Sequence, residues 1–210
     1  MFKSRKRSIT IPQSEHARLS GFIARFWGNE QVDPPPVDKE AFTLGVTCHD
    51  RGYGHLDTMA IGEVADEVWL ATQRRGILTS LDDPIADTVA LMHIRRLLAS
   101  SDHDSAGAII SLADERIGQN IARTPYTYED FERADHITRL CDSIAFDFCF
   151  EEPSEFERRV FSQAGDAMQT IRVTMENGYI QLHPWPLSVP ELHGFILGYA
   201  LSGYPDHPQP

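Results

Sequence analysis

The sequence predicts a mainly α protein with a small antiparallel β-sheet at its C-terminal end. Three observations lead there. Apolar residues recur at helical spacing through most of the first 150 positions. Capping signals open several of those segments. After residue 158 the period changes to strict alternation around Asn177-Gly178, a strong hairpin signal.

The elements follow in order. Leu19, Phe22, Ile23 and Phe26 predict a first helix over about Glu15 to Trp27, with Ser14 as its cap and Gly28-Asn29 as its end. Asp33 to Pro36 reads as a rigid linker. Phe42, Val46 and His49 share a face of a second helix, about Lys39 to Asp50, stopped by Gly52 and Gly54. A weaker helical pattern runs from Thr58 to Gly76. Asp83-Pro84 is a cap with proline at the first helical position, opening a helix that aligns Val89, His93 and Leu97. Asp104 is placed to start the next helix. Thr127-x-x-Asp130 resembles a capping box ahead of a helix reaching about Phe150. Beyond it, Ile171, Val173 and Met175 pair across the turn with Ile180 and Leu182. Alternation from His193 to Leu201 predicts a third strand. The expected organisation is a helical domain over 8–158 with a β appendage over 159–210.

Composition narrows the function. The 210 residues are 41% hydrophobic and 24% charged, ordinary for a globular protein. A formal net charge of −12 disfavours a broad nucleic-acid interface, since that needs clustered Lys and Arg. A small anionic substrate held by local cations stays open. No apolar run is long enough for a membrane span. The basic start, Met1 to Arg7, lacks the apolar core of a secretory signal and reads as a solvated tail. Cys48, Cys141 and Cys149 form no C-x-x-C motif, so they read as reduced thiols of a cytoplasmic protein, filling space beside packed side chains. An open edge strand in the terminal sheet offers a route to a homodimer.

The chemistry gathers at His49-Asp50, which can hold one divalent cation between them. His16 lies on the inward stripe of its helix, as a ligand or as a hydrogen-bonded core histidine. Asp142 sits in the buried stretch Leu140 to Phe146. A carboxylate there is expensive unless it binds a metal or pairs with an inward Arg. Neutral imidazole suits Zn, Fe, Ni, Mn or Co. His93 faces inward and is either a further ligand or a proton donor to a leaving group. His55 and Asp57 lie in the glycine-rich turn, with Asp57 favoured as general base and Asp50 as the second carboxylate able to take a proton. Arg18 and Arg51, and next Arg74 and Arg75, are the anion contacts.

The order His16, His49-Asp50, Asp142 resembles the HD superfamily of metal-dependent hydrolases. The segment from His16 to Gly21, Trp27-Gly28-Asn29, His49-Asp50-x-Gly52-Tyr53, His93, Leu140-x-Asp142 and Pro184-Trp185-Pro186 together resemble the bacterial domain of unknown function 3891. The resemblance implies an HD-like helical core and a phosphohydrolase. It implies one divalent metal (Mn, Co, Ni, Zn, Mg or Fe) on His16, His49, Asp50 and Asp142. Where the nucleotidase branch has Glu this chain has Tyr53, and it lacks the paired His of the phosphodiesterase signature. The alternatives are an HD-type oxygenase with two irons, for which His93 and His55 would supply ligands, and a non-catalytic module with a degenerate pocket.

Overall fold

The computed structural model describes residues 1–103, 105–161, 167–206 and 208, apart from the side chain of His55. The described residues form six α-helices and two three-stranded antiparallel sheets. The helices are α1 (Gln13–Arg25), α2 (Lys39–Thr47), α3 (Asp66–Leu78), α4 (Pro84–Ala99), α5 (Ala106–Ile121) and α6 (Tyr128–Phe150). The strands are β1 (Phe2–Lys3), β2 (Ile9–Ile11), β3 (Ser154–Phe161), β4 (Met168–Glu176), β5 (Tyr179–His183) and β6 (Tyr199–Ala200). Among the described residues, no helix is long and apolar enough to cross a membrane.

Local chemistry explains the helix starts. Asp83 accepts from the Ile85 and Ala86 amides at 2.7 and 3.0 Å, with Pro84 at the first helical position where its missing N–H costs nothing. Thr127 and Asp130 close the capping box of α6 reciprocally. The start of α1 differs from expectation. Pro12 occupies the cap without a side-chain bond, and the Gln13 amide donates instead to Asp57 Oδ1 at 2.8 Å. The cap comes from 44 residues away rather than from Ser14. Asp104 lies outside the described residues; α5 begins at Ala106.

Helices α1, α2, α4 and α6 pack on one another, and α5 leans on α4. Their shared core holds Trp27, Phe42, Leu91, Phe131, Leu140 and Ile144. Two glycines set the approach distances. A Cβ on Gly21 would fall 2.0 Å from Thr47 Oγ1, and one on Gly52 would fall 2.4 Å from the Thr72 carbonyl oxygen. Side chains at either place would push α1 from α2, or the post-α2 turn from α3.

Three β expectations need correction. The hairpin of β4 and β5 forms as predicted, with Val173 opposite Leu182 and Met175 opposite Ile180. Its third strand is β3, which pairs from Ser154–Met175 to Phe161–Met168 and straddles residue 158. Val160, Ile171, Val173 and Met175 bury one face against the helices, while Glu155 and Glu157 stay exposed on the other. The segment after His193 is not that strand. Glu15 Oε2 accepts from the Leu197 amide at 2.8 Å and Arg18 donates to the Phe195 carbonyl at 2.5 Å, so side chains of α1 hold it until Tyr199–Ala200 pairs with β2. The basic start is not a solvated tail either. Phe2 is fully buried and β1 pairs with β2, while Arg5, Lys6 and Arg7 are exposed.

Candidate metal centre

The decisive local feature is where α2 stops. It ends at Thr47, so His49 and Asp50 occupy the turn beyond it rather than the helix expected to run to Asp50. Consecutive helical side chains diverge by about 100°. Off the helix, both can face one point. His49 Nδ1 lies 2.6 Å from the Val46 carbonyl and donates to it, which leaves the Nε2 lone pair facing inward. His16 comes from the buried face of α1, Asp142 from the buried face of α6 and His93 from α4.

Four atoms converge: His16 Nε2, His49 Nε2, Asp50 Oδ2 and Asp142 Oδ1. His16 Nε2 lies 3.2 Å from His49 Nε2, 3.5 Å from Asp50 Oδ2 and 3.2 Å from Asp142 Oδ1. His49 Nε2 lies 3.4 Å from Asp50 Oδ2 and 3.6 Å from Asp142 Oδ1. Separations of this size are those between ligands of one ion; two overlapping groups could each hold one, His16 with His49 and Asp142, and His49 with Asp50 and His93. Both imidazoles are buried, and the Asp50 and Asp142 side chains are 6% and 16% exposed. Two buried carboxylates facing two imidazole lone pairs are stable only around a cation or a shared proton. The donor set fits a divalent ion: two nitrogens and two oxygens, one of the imidazoles oriented by a backbone carbonyl behind it.

The titration behaviour follows from this crowding. Burial opposes charge on His49, but Asp50 and Asp142 outweigh it and hold its pKa well above the ordinary 6.5. Burial alone would raise Asp50 and Asp142. The facing imidazoles outweigh it, and both stay well below 3.8. Without metal, therefore, His49 keeps a proton at neutral pH. The depressed carboxyls stabilise the fold above their ordinary value and lose that contribution as pH falls. The raised imidazole contributes below its ordinary value and loses that contribution as pH rises through its folded pKa. The metal-free protein should melt highest between about pH 4 and pH 6.5 in a thermal-melt series. Metal should release a proton at pH 7, read by calorimetry in buffers of different ionisation heat. A proton count of zero contradicts this account.

Neighbours complete the site. Gln13 Nε2 donates to Asp50 Oδ2. Phe2 packs on His16 with ring centroids 4.9 Å apart. Arg96, one turn after His93 on α4, donates to His93 Nδ1 at 3.0 Å and lies 3.9 Å from Asp142 Oδ2. That contact puts the neutral imidazole's proton on Nε2, 3.5 Å from Asp50 Oδ1. Burial, then the positive neighbours His49 and Arg96, lower the His93 pKa against the pull of the carboxylates. A cleft of about 420 Å³ opens over the cluster and is lined in part by His16, Asp50, His93 and Asp142.

The family model for "Protein of unknown function (DUF3891)" matches residues 1–202. The chain belongs to this family. No curated protein matches the chain, and no solved structure does.

In this DUF3891 chain the structure brings together His16, His49, Asp50, His93 and Asp142, and separates the other predicted site residues. Asp57 does not reach the cleft: its Oδ1 takes the Gln13 amide and lies 3.1 Å from the Met1 amino group. Arg18 turns outward to Glu15, at 2.8 Å, and to the Phe195 carbonyl. Arg51 is buried in a different ion pair, with Nη1 2.6 Å from Asp87 Oδ1 and Nε donating to the Gly76 carbonyl at 2.7 Å. Arg74 and Arg75 sit exposed on α3. The His55 side chain lies outside the described residues. Gln13, Arg96, Trp69 and the Tyr53 hydroxyl are site neighbours that sequence reasoning missed as contacts. Only Arg96 carried a signal, its place one turn from His93 on an inward face. The cysteines act as packing: Cys141 and Cys149 are buried, and burial pushes both thiols up.

Proposed function

We propose that this protein is a metal-dependent hydrolase of a small phosphoester, with an HD-type centre on His16, His49, Asp50 and Asp142. The observation that carries the reading is the crowding of two carboxylate oxygens, from separate parts of the chain, around the paired Nε2 atoms of His16 and His49. A divalent ion bound there supplies a Lewis acid and lowers the pKa of a water. The chain supplies the rest. His93 Nε2–H, fixed as donor by Arg96, can hydrogen-bond a leaving oxygen. Its depressed pKa makes it a neutral donor rather than a cationic acid. Asp50 Oδ1, beside that donor, is the carboxylate atom placed to take a proton. Asp57, Arg18 and Arg51 have no part in this reading.

A second reading, an oxygenase with two irons, has one observation for it: His49, Asp50 and His93 also form a group that could hold a metal ion. Arg96 weighs against it. Its N–H occupies His93 Nδ1, and the proton this leaves on Nε2 blocks the lone pair a second metal needs. Elemental analysis of protein purified without chelator tests all three alternatives, followed by a panel of phosphoesters with added Mn, Co, Ni or Zn. One metal per chain with turnover is expected. Two irons per chain favour the oxygenase. An intact fold that never takes up metal leaves a non-catalytic module.

A further inference from the structure

We propose that the cleft takes a monoanionic phosphodiester carrying a planar ring, with the ring against Trp69 and His103. This deepens the metal-hydrolase reading and rests on a divalent ion held by the four-atom cluster. Two observations carry it: the charge of the cleft and the shape of its far wall.

The charge decides the anion. Among the described residues lining the cleft there is no Lys or Arg, and there are three carboxylates, Asp50, Asp66 and Asp142. One divalent ion balances Asp50 and Asp142 and leaves the centre neutral. The guanidinium behind it, Arg96, is committed: Nε donates to Asp135 at 2.8 Å while Nη2 serves His93. Asp66 lies 3.6 Å from His103 Nδ1. A dianionic monoester would bring two negative charges to a site with no spare cation, whereas a diester brings one. This class follows from the charge balance and does not depend on the paired-His signature, which the chain lacks.

The wall decides the shape. Trp69 and His103 face each other with ring centroids 5.6 Å apart and planes tilted by 47°. The indole is fixed in place, donating from Nε1 to the Tyr53 hydroxyl at 2.8 Å. Gln73 Nε2 donates to the same oxygen at 2.7 Å. Both acceptor positions of that phenol are then filled, and its own proton is left to donate into the cleft that Tyr53 lines. Ile61, Val64, Leu97 and Phe146 add apolar surface beside the polar Gln13, Ser100 and Ser101. A volume of about 420 Å³ holds one ring and a phosphate group.

The test is calorimetric titration of metal-loaded protein with diphenyl phosphate, phenyl phosphate and dimethyl phosphate. Diphenyl phosphate should bind tightest, by about tenfold over the ringless diester. Trp69→Leu and His103→Leu should each weaken diphenyl phosphate about tenfold while leaving dimethyl phosphate binding and metal content unchanged. The His103 side chain is 30% exposed, so its variant reads the wall even if Trp69→Leu fails to fold. Phenyl phosphate binding tighter than diphenyl phosphate overturns the proposal, as does unchanged diphenyl phosphate affinity in the folded variants. Selective binding without turnover of bis(4-nitrophenyl) phosphate supports this site and retires the hydrolase. Turnover of phosphoesters with no preference for a ring does the reverse. A protein that takes up no divalent ion overturns both.

Discussion

Asp142→Asn should strip the metal and abolish turnover together. The amide keeps the size and one acceptor oxygen of the carboxylate but removes a buried charge that faces His16 at 3.2 Å and His49 at 3.6 Å. Removing one partner of a buried ionic cluster costs about 3–5 kcal/mol, which in metal affinity is about 10²- to 10⁴-fold. The helix itself should persist, because the α6 capping box and the Leu140–Ile144 packing do not involve the substituted group. Elemental analysis, circular dichroism and turnover on one preparation separate the effects. Asp57→Asn is the matched control. It removes an acid that the sequence favours as the base, yet it should leave metal content and turnover intact and lower the melting temperature only modestly through the α1 cap. An Asp142→Asn protein with full metal content would end the proposed centre.

The largest effect on stability should come from Asp87→Ala, far from any proposed chemistry. Asp87 is 1% exposed and accepts from Arg51 Nη1 at 2.6 Å, Arg116 Nη2 at 2.9 Å, Asn120 Nδ2 at 2.7 Å and the Leu81 amide at 3.0 Å. Alanine there leaves the buried Arg51 guanidinium and the partly buried Arg116 one without this anion. The expected loss is about 3–5 kcal/mol, or a drop of about 6–20 °C in melting temperature for a chain of this size. Pairing it with Arg51→Met should recover part of that loss, since the stranded charge is the main penalty. Urea denaturation of the two single variants and the double variant reads this directly. A loss under about 1 kcal/mol for Asp87→Ala would show that water or another anion reaches both arginines.

What the sequence disclosed depended on range. His16, His93 and Asp142 were legible because each is a costly polar group on an apolar helical stripe, a conflict visible within one turn of chain, whereas His49-Asp50 stood out as a pair whose order with the others resembles a known family. The roles of Arg51 and Asp57 were not. Their partners, Asp87 and the Gln13 amide, lie 36 and 44 residues away, and a guanidinium reads the same whether it meets substrate or a buried acid. Arg18 was more readable, since Glu15 precedes it by three residues on the same helix. Strand β3 was hidden because Glu155, Glu157 and Arg159 on its wet face present as a charge run, masking Val160 on the dry one. The strand at Phe2 is two residues long, too short for any periodicity to announce it.

The sheet of β1, β2 and β6 joins position 2 to position 200. Phe2 from that sheet packs on His16, so the support under one imidazole is complete only once Tyr199 and Ala200 have paired with β2. On a ribosome, the helices can collapse while this closure waits, and loops that long close slowly. Under the proposed metal reading, an ion would therefore meet groups that are present before they are firmly held. Loading should then follow this long-range closure rather than the first packing of the helices.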